Sequence, residues 1–236
     1  MSVDAADVAA GVAGARERIA EAAARAGRAP ADVEIVAAVK YVDVDDLPAL
    51  HAAGIRRVGE NRAEQLLAKQ AAHGDLFAWD FIGHLQSRKV RDVVGRVALV
   101  HALQSDSAAT QIDTRAEAPQ DVLVEVNTAA DPSKYGVAPD DLDAFLELLA
   151  GLAQVRVRGL MTMPAFTEDP EGSRAAFAAL RELAAAADAR WSGAHAFDVL
   201  SMGTSQDFTV AVEEGATLVR LGSVLLVPPG RWSRLA

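Results

Sequence analysis

Val33-Glu34-Ile35-Val36-Ala37-Ala38-Val39-Lys40 is the stretch that decides the fold. It is apolar apart from Glu34 and the terminal Lys40, rich in β-branched residues and strand-length. A near-continuous apolar run of this kind suits a parallel strand buried on both faces. Seven more strand-like runs follow: Arg57–Gly59, Trp79–Gly83, Val97–His101, Val122–Val126, Val157–Met161, Asp198–Ser201 and Thr217–Leu221. The segments between them have helical spacing. Leu142, Phe145, Leu146, Leu149 and Leu152 form one apolar face, and Phe177, Leu180, Ala184 and Ala187 another. Strand-helix alternation implies a parallel sheet, and eight units imply a (β/α)8 TIM barrel. A doubly wound sheet would usually use fewer strands.

An Ala-, Arg- and Glu-rich helix is predicted ahead of the barrel, from Asp4 to Ala26, with Gly27 as its stop. The expected organisation is one domain, 1–236: an N-terminal helical part (1–28), a barrel (33–226) and a tail (227–236).

The net charge is −10, which argues against nucleic acid and anionic membrane surfaces. The chain has no cysteine, so disulfide and thiolate chemistry are excluded. His51, His73, His84, His101 and His195 lack metal-ligand spacing. The first ten residues do not read as a secretory signal, and no apolar stretch reaches membrane-spanning length, so the expected location is the cytosol.

Lys40 is the candidate reactive residue. The chain has four lysines, and Lys69, Lys89 and Lys134 lie in polar stretches where solvated amines are predicted. Lys40 instead ends a hydrophobic strand. Partial desolvation there should favour the neutral amine, a nucleophile that forms imines with aldehydes. The alternative is a lysine that simply leaves the core for water.

In a TIM barrel the active site lies at the C-terminal ends of the strands. The sequence sets Lys40, Glu60-Asn61, His84, Gln104-Ser105-Asp106, Asn127, Thr162, Ser201 to Ser205 and Arg220 to Ser223 at or just beyond those ends. Ser205 or Thr204 is predicted to cap a helix starting near Gln206. Such an end, with Gly222-Ser223 nearby, suits a phosphate. An amine and a phosphate cradle at one mouth suggest a phosphorylated aldehyde, foremost pyridoxal 5′-phosphate (PLP). Glu60 is either a general base or a partner for backbone donors. His84 borders the ligand or is structural, and Lys134 is a ligand contact or a solvated loop lysine.

The sequence resembles the PLP homeostasis proteins, the YggS/PROSC group, which have an alanine-racemase-like barrel. The resemblance rests on Ala38-Val39-Lys40, Val58-Gly59-Glu60-Asn61, Phe81-Ile82-Gly83-His84-Leu85-Gln86, Val126-Asn127, Ser133-Lys134-Tyr135-Gly136-Val137, Arg158-Gly159-Leu160-Met161-Thr162, Leu200-Ser201-Met202-Gly203 and Arg220-Leu221-Gly222-Ser223, in this order. It implies a Schiff base between Lys40 and PLP, and phosphate binding by Ser205, Gly222 and Ser223. It sets Arg220 against the pyridine nitrogen, with Asn61 and Met161 near the ring. Tyr41-Val42 replace a small polar residue and a second lysine common in the group, Thr204 replaces a usual Met, and Val227-Pro228-Pro229 replaces a usual Phe-Gly ending.

Arg220 disfavours transamination, because a guanidinium cannot take the proton that a strong electron sink keeps on the pyridine nitrogen. Few residues follow strand eight, so a racemase's second base has no evident source. The expected function is therefore a non-catalytic carrier in vitamin B6 homeostasis that buffers or delivers PLP. A weak PLP-dependent racemase or lyase is the enzyme alternative, and a Schiff-base aldolase a more distant one. Apo PLP-dependent enzymes are the expected partners, and the chain is expected to be monomeric.

Overall fold

The computed structural model describes residues 3–129 and 135–226. Eight parallel strands close into a barrel in sequence order. They are β1 (Glu34–Ala38), β2 (Arg57–Glu60), β3 (Ala78–Phe81), β4 (Leu99–Leu103), β5 (Gln120–Glu125), β6 (Val155–Met161), β7 (Val199–Thr204) and β8 (Leu218–Leu221). The helices are α1 (Ala5–Arg25), α2 (Leu47–Ala52), α3 (Ala63–His73), α4 (Val90–Val93), α5 (Asp106–Arg115), α6 (Leu142–Ala150), α7 (Arg174–Trp191), α8 (Phe208–Glu213) and α9 (Ser223–Leu226). The β1–β8 pairing, with Val36 opposite Arg220 and Ala37 opposite Leu221, shuts the barrel. The expected TIM barrel is present.

Apolar residues fall into two layers. Val36, Leu99, Ala102, Leu123, Met161 and Leu218 form one cluster inside the barrel. A much larger cluster packs the outer strand faces against the helices. Both expected helix faces lie in it: Leu142, Phe145, Leu146 and Leu149 of α6, and Phe177, Leu180, Ala184 and Ala187 of α7. Leu152 is partly buried against them.

The N-terminal helix matches its expected bounds closely. Asp4 caps α1 by accepting from Ala6 N and Asp7 N, and Gly27 follows its end at φ 67°. Val8, Val12, Ala15, Ile19, Ala22 and Ala23 are buried against the body of the protein. Gly11 permits this docking, since a Cβ there would lie 2.7 Å from Leu225 O.

Several strand boundaries shift from expectation, and two of the shifts bear on function. β4 runs two residues further, to Leu103, so His101 is a mid-strand residue with no exposure. β7 runs through Thr204, so Ser201, Met202 and Gly203 belong to the strand and only Ser205 follows it. Sequence alone could not place this second end, because the strand carries a register shift between Ser201 and Thr204. Gly203 within it has φ 90°, and a Cβ there would meet Ala211 Cβ at 2.6 Å.

Candidate functional site

The barrel topology gathers most of the candidate residues at one mouth. Lys40 lies just past β1, Asn61 follows β2, Met161 ends β6, Ser205 follows β7, Arg220 lies within β8, and Gly222 and Ser223 follow it. β1 and β8 are neighbours, so a Cβ added at Gly222 would lie 3.7 Å from Ala38, two residues before Lys40.

Lys40 is exposed rather than partly desolvated. β1 ends at Ala38, and Lys40 lies in a turn in which Val42 N donates to Val39 O at 3.0 Å. The Lys40 amine instead lies 5.0 Å from the centroid of the Tyr41 ring, itself exposed.

Lys69 is the second correction. It is 1 % exposed, although its polar stretch predicts a solvated amine. Its Nζ donates to Val39 O at 2.6 Å and forms an ion pair with Glu60, which is fully buried. Glu60 Oε2 also accepts from Asn61 N at 2.9 Å. Glu60 is thus committed to an amine and a backbone donor, which sets aside its role as a general base. The pair ties the end of β2 to the residue that precedes Lys40. Lys69 lies on α3 with Ala63 and Leu66 on the same inward face, and that spacing was the available signal.

Arg220 is buried and held firmly. Its Nη1 donates to Ser201 O at 2.8 Å and Ser201 Oγ at 2.6 Å, and its Nη2 to Thr162 O at 3.0 Å. These contacts do not exhaust the five N–H groups of a guanidinium. Burial lowers its pKa to about 10, against the opposing pull of Glu125 and Asp207. It remains a cation at neutral pH.

Glu125 was missed by sequence reasoning. It ends β5 opposite Met161 and is buried, and burial raises its pKa to about 7 despite Arg220. Gln104 Nε2 donates to Glu125 Oε2 at 2.9 Å and to His84 Nδ1 at 2.7 Å. His84 stacks on Tyr135 with ring centroids 4.7 Å apart. Lys134 lies outside the described residues, as does the tail from 227.

The segment expected to cradle a phosphate takes a different form from the expected helix cap. α8 starts at Phe208 with Asp207 at its N-cap, and Asp207 Oδ1 accepts from Thr204 N and Oγ1. Ser205 is left to the neighbouring loop. Its Oγ accepts from Gly222 N at 3.0 Å and Val224 N at 3.3 Å. With both donors directed at its lone pairs, the hydroxyl proton is free to point elsewhere.

Among the described residues no cluster of metal-ligating side chains occurs, and no helix is long and apolar enough to cross a membrane. A cavity of about 330 Å³ opens at the opposite end of the barrel. Its Arg57 and Arg158 pair with Glu34, Asp121 and Asp198.

Residues 14–228 match the family described as alanine racemase, N-terminal domain. A pyridoxal phosphate homeostasis protein of Aquifex aeolicus is 41% identical over 213 residues, covering 89% of this chain and 92% of the relative. One of Pseudomonas aeruginosa is 40% identical over 212 residues, covering 88% and 90%. The solved structure of PipY of Synechococcus elongatus with PLP bound is 32% identical, with a TM-score of 0.77, covering 89% of this chain and all of that one. An alanine racemase of Corynebacterium glutamicum has a TM-score of 0.74 at 14% identity, covering 98% of this chain and 63% of that one, which is a likeness of fold.

Proposed function

We propose that this chain, which belongs to the pyridoxal phosphate homeostasis proteins, holds PLP covalently through the Lys40 amine and buffers or delivers it without turnover. The supporting observation is the convergence at one mouth of a lysine, a fixed guanidinium and a serine hydroxyl.

The donor set fits the cofactor. Bound PLP supplies an aldehyde carbon that amines capture reversibly. Lys40 would provide the amine, which must shed a proton before it attacks, and its exposure lets water and competing amines reach the same place. Ser205 would donate its hydroxyl proton to the phosphate, with Gly222 and Ser223 allowing close backbone approach. Arg220 would face the pyridine nitrogen, with Asn61 and Met161 at the ring.

Arg220 also favours carriage over catalysis. A cation beside the pyridine nitrogen disfavours a second positive charge there, which weakens carbanion stabilisation. The carbonyls of Ser201 and Thr162 hold that cation in the barrel. An accessible covalent link can exchange with an incoming amine, so apo PLP enzymes are the natural acceptors. We take 1–236 as one such PLP-binding domain, acting as a monomer.

The test begins with the absorbance of freshly purified protein, which should show lysine-bound PLP. The holoprotein is then mixed with an apo PLP enzyme while a trap scavenges free PLP, and recovered activity is followed. In parallel, α-proton exchange is screened over the amino acids in deuterated water. Transfer without exchange is expected. Fast, saturable exchange that disappears in Lys40→Ala would replace the carrier with a racemase-like enzyme.

A further inference from the structure

A polar column runs through the barrel interior and ends on Arg220. Arg57 Nε donates to Asp80 Oδ2 at 2.8 Å. His101 Nε2 lies 2.8 Å from the same oxygen, and His101 Nδ1 lies 2.9 Å from Ser201 Oγ. Arg220 Nη1 donates to that hydroxyl at 2.6 Å. Asp80, His101 and Ser201 have no exposed surface.

The direction of each bond follows from the donors available. Asp80 pairs with the Arg57 guanidinium through Oδ2, and a carboxylate only accepts, so His101 Nε2 donates to it. Burial pushes the His101 pKa down, opposed by Asp80 and aided by the charges of Arg220 and Arg57. A neutral imidazole with its proton on Nε2 has an acceptor at Nδ1. Ser201 therefore donates its hydroxyl proton to His101 and presents a lone pair to Arg220. An imidazolium would donate to Ser201 instead, and among the described residues the serine proton would then have no other bonded acceptor.

We propose that His101 is a positioning residue for Arg220: as the neutral Nε2–H tautomer it accepts the Ser201 hydroxyl hydrogen bond at Nδ1, orients the hydroxyl, and so sets the guanidinium edge that meets the cofactor's ring nitrogen. This rests on the PLP reading of the site and deepens it. Arg220 is otherwise held by two backbone carbonyls, of Ser201 and Thr162, so the hydroxyl is its one side-chain anchor among the described residues.

The test compares PLP with an analogue in which C–H replaces the pyridine nitrogen. His101→Leu should weaken PLP about three- to tenfold and leave the analogue within about twofold. His101→Asn, whose side-chain oxygen can still accept from Ser201, should recover part of the PLP affinity. Ser201→Ala should show the same selective loss, and His101→Leu added to it should change little more. Thermal melting checks that each variant is folded. Nitrogen-15 NMR of the histidines in the unaltered protein reads the tautomer directly, even if a variant fails to fold. Equal weakening of both ligands, or His101 found as the Nδ1–H tautomer or as imidazolium, would overturn the proposal. An unaltered protein that binds neither ligand would instead sink the PLP reading beneath it, while the NMR result would still report the column.

Discussion

Lys40 and Lys69 lie at opposite extremes of one region. Lys40 is exposed beside Tyr41, whereas Lys69 is 1 % exposed and bound to Glu60 and Val39 O. Local hydrophobicity suggests the reverse, because Lys40 ends an apolar strand and Lys69 sits in a polar stretch. A buried amine is tolerated where a carboxylate and a carbonyl accept its hydrogen bonds, and those partners commit it to the structure. An exposed amine keeps its approaches open. On this comparison Lys69 positions the loop, and Lys40 is the amine proposed to react.

The largest expected effect is all-or-none. Borohydride reduction of the holoprotein, digestion and mass mapping should recover the adduct on Lys40, and Lys40→Ala should remove it. Stability should change by no more than about 0.5 kcal/mol, as at other surface sites. Recovery chiefly on Lys69 would reverse the comparison.

Lys69→Ala should do the opposite. It strands the Glu60 carboxylate in the interior, at a cost of about 3–5 kcal/mol by denaturant unfolding. The adduct should still form on Lys40 wherever the protein is folded. The double change Lys69→Met with Glu60→Gln should cost clearly less than Lys69→Ala alone, since no charge is left unpaired. A double variant as unstable as the single one would mean that packing, not charge, governs the site.

Glu125 extends the contrast to a buried acid whose side chain accepts only from Gln104 among the described residues. Its folded pKa is raised to about 7, above the unfolded value of 4.5. The folded state therefore binds more protons between these values, and stability falls as pH rises from about 4.5 to about 7. Glu125→Gln should thus stabilise the protein at pH 8, by up to about 3 kcal/mol, and have little effect near pH 4.5. The amide oxygen introduced by this change can still accept from Gln104. Melting curves at both pH values decide it, and a stabilisation independent of pH would dismiss ionisation as the cause.

The smallest effect concerns the mouth alone. Ser205→Ala should weaken PLP about ten- to a hundredfold while sparing pyridoxal, which has no phosphate. Gly222→Ala should leave stability nearly unchanged, because the added Cβ makes only ordinary contact with Ala38 at 3.7 Å. Titration of both ligands into each variant checks these outcomes, and equal weakening of PLP and pyridoxal would move the phosphate cradle elsewhere.

The barrel was legible because its determinants are local. Apolar runs, helical spacing and the Asp4 and Gly27 signals each lie within a few residues of the element they set. Lys40, Ser205, Arg220 and Gly222 were legible as candidates because a barrel places every strand end at one mouth. Only the tertiary structure decided what those side chains touch. Lys69 meets Glu60 from nine residues away, His101 meets Ser201 from a hundred, and Arg220 meets Thr162 from fifty-eight. Burial and partners of this kind set an amine's exposure, a histidine's tautomer and a carboxyl's pKa. The His101 and Arg220 contacts arise when barrel closure brings distant strands together, so no window of sequence contains them.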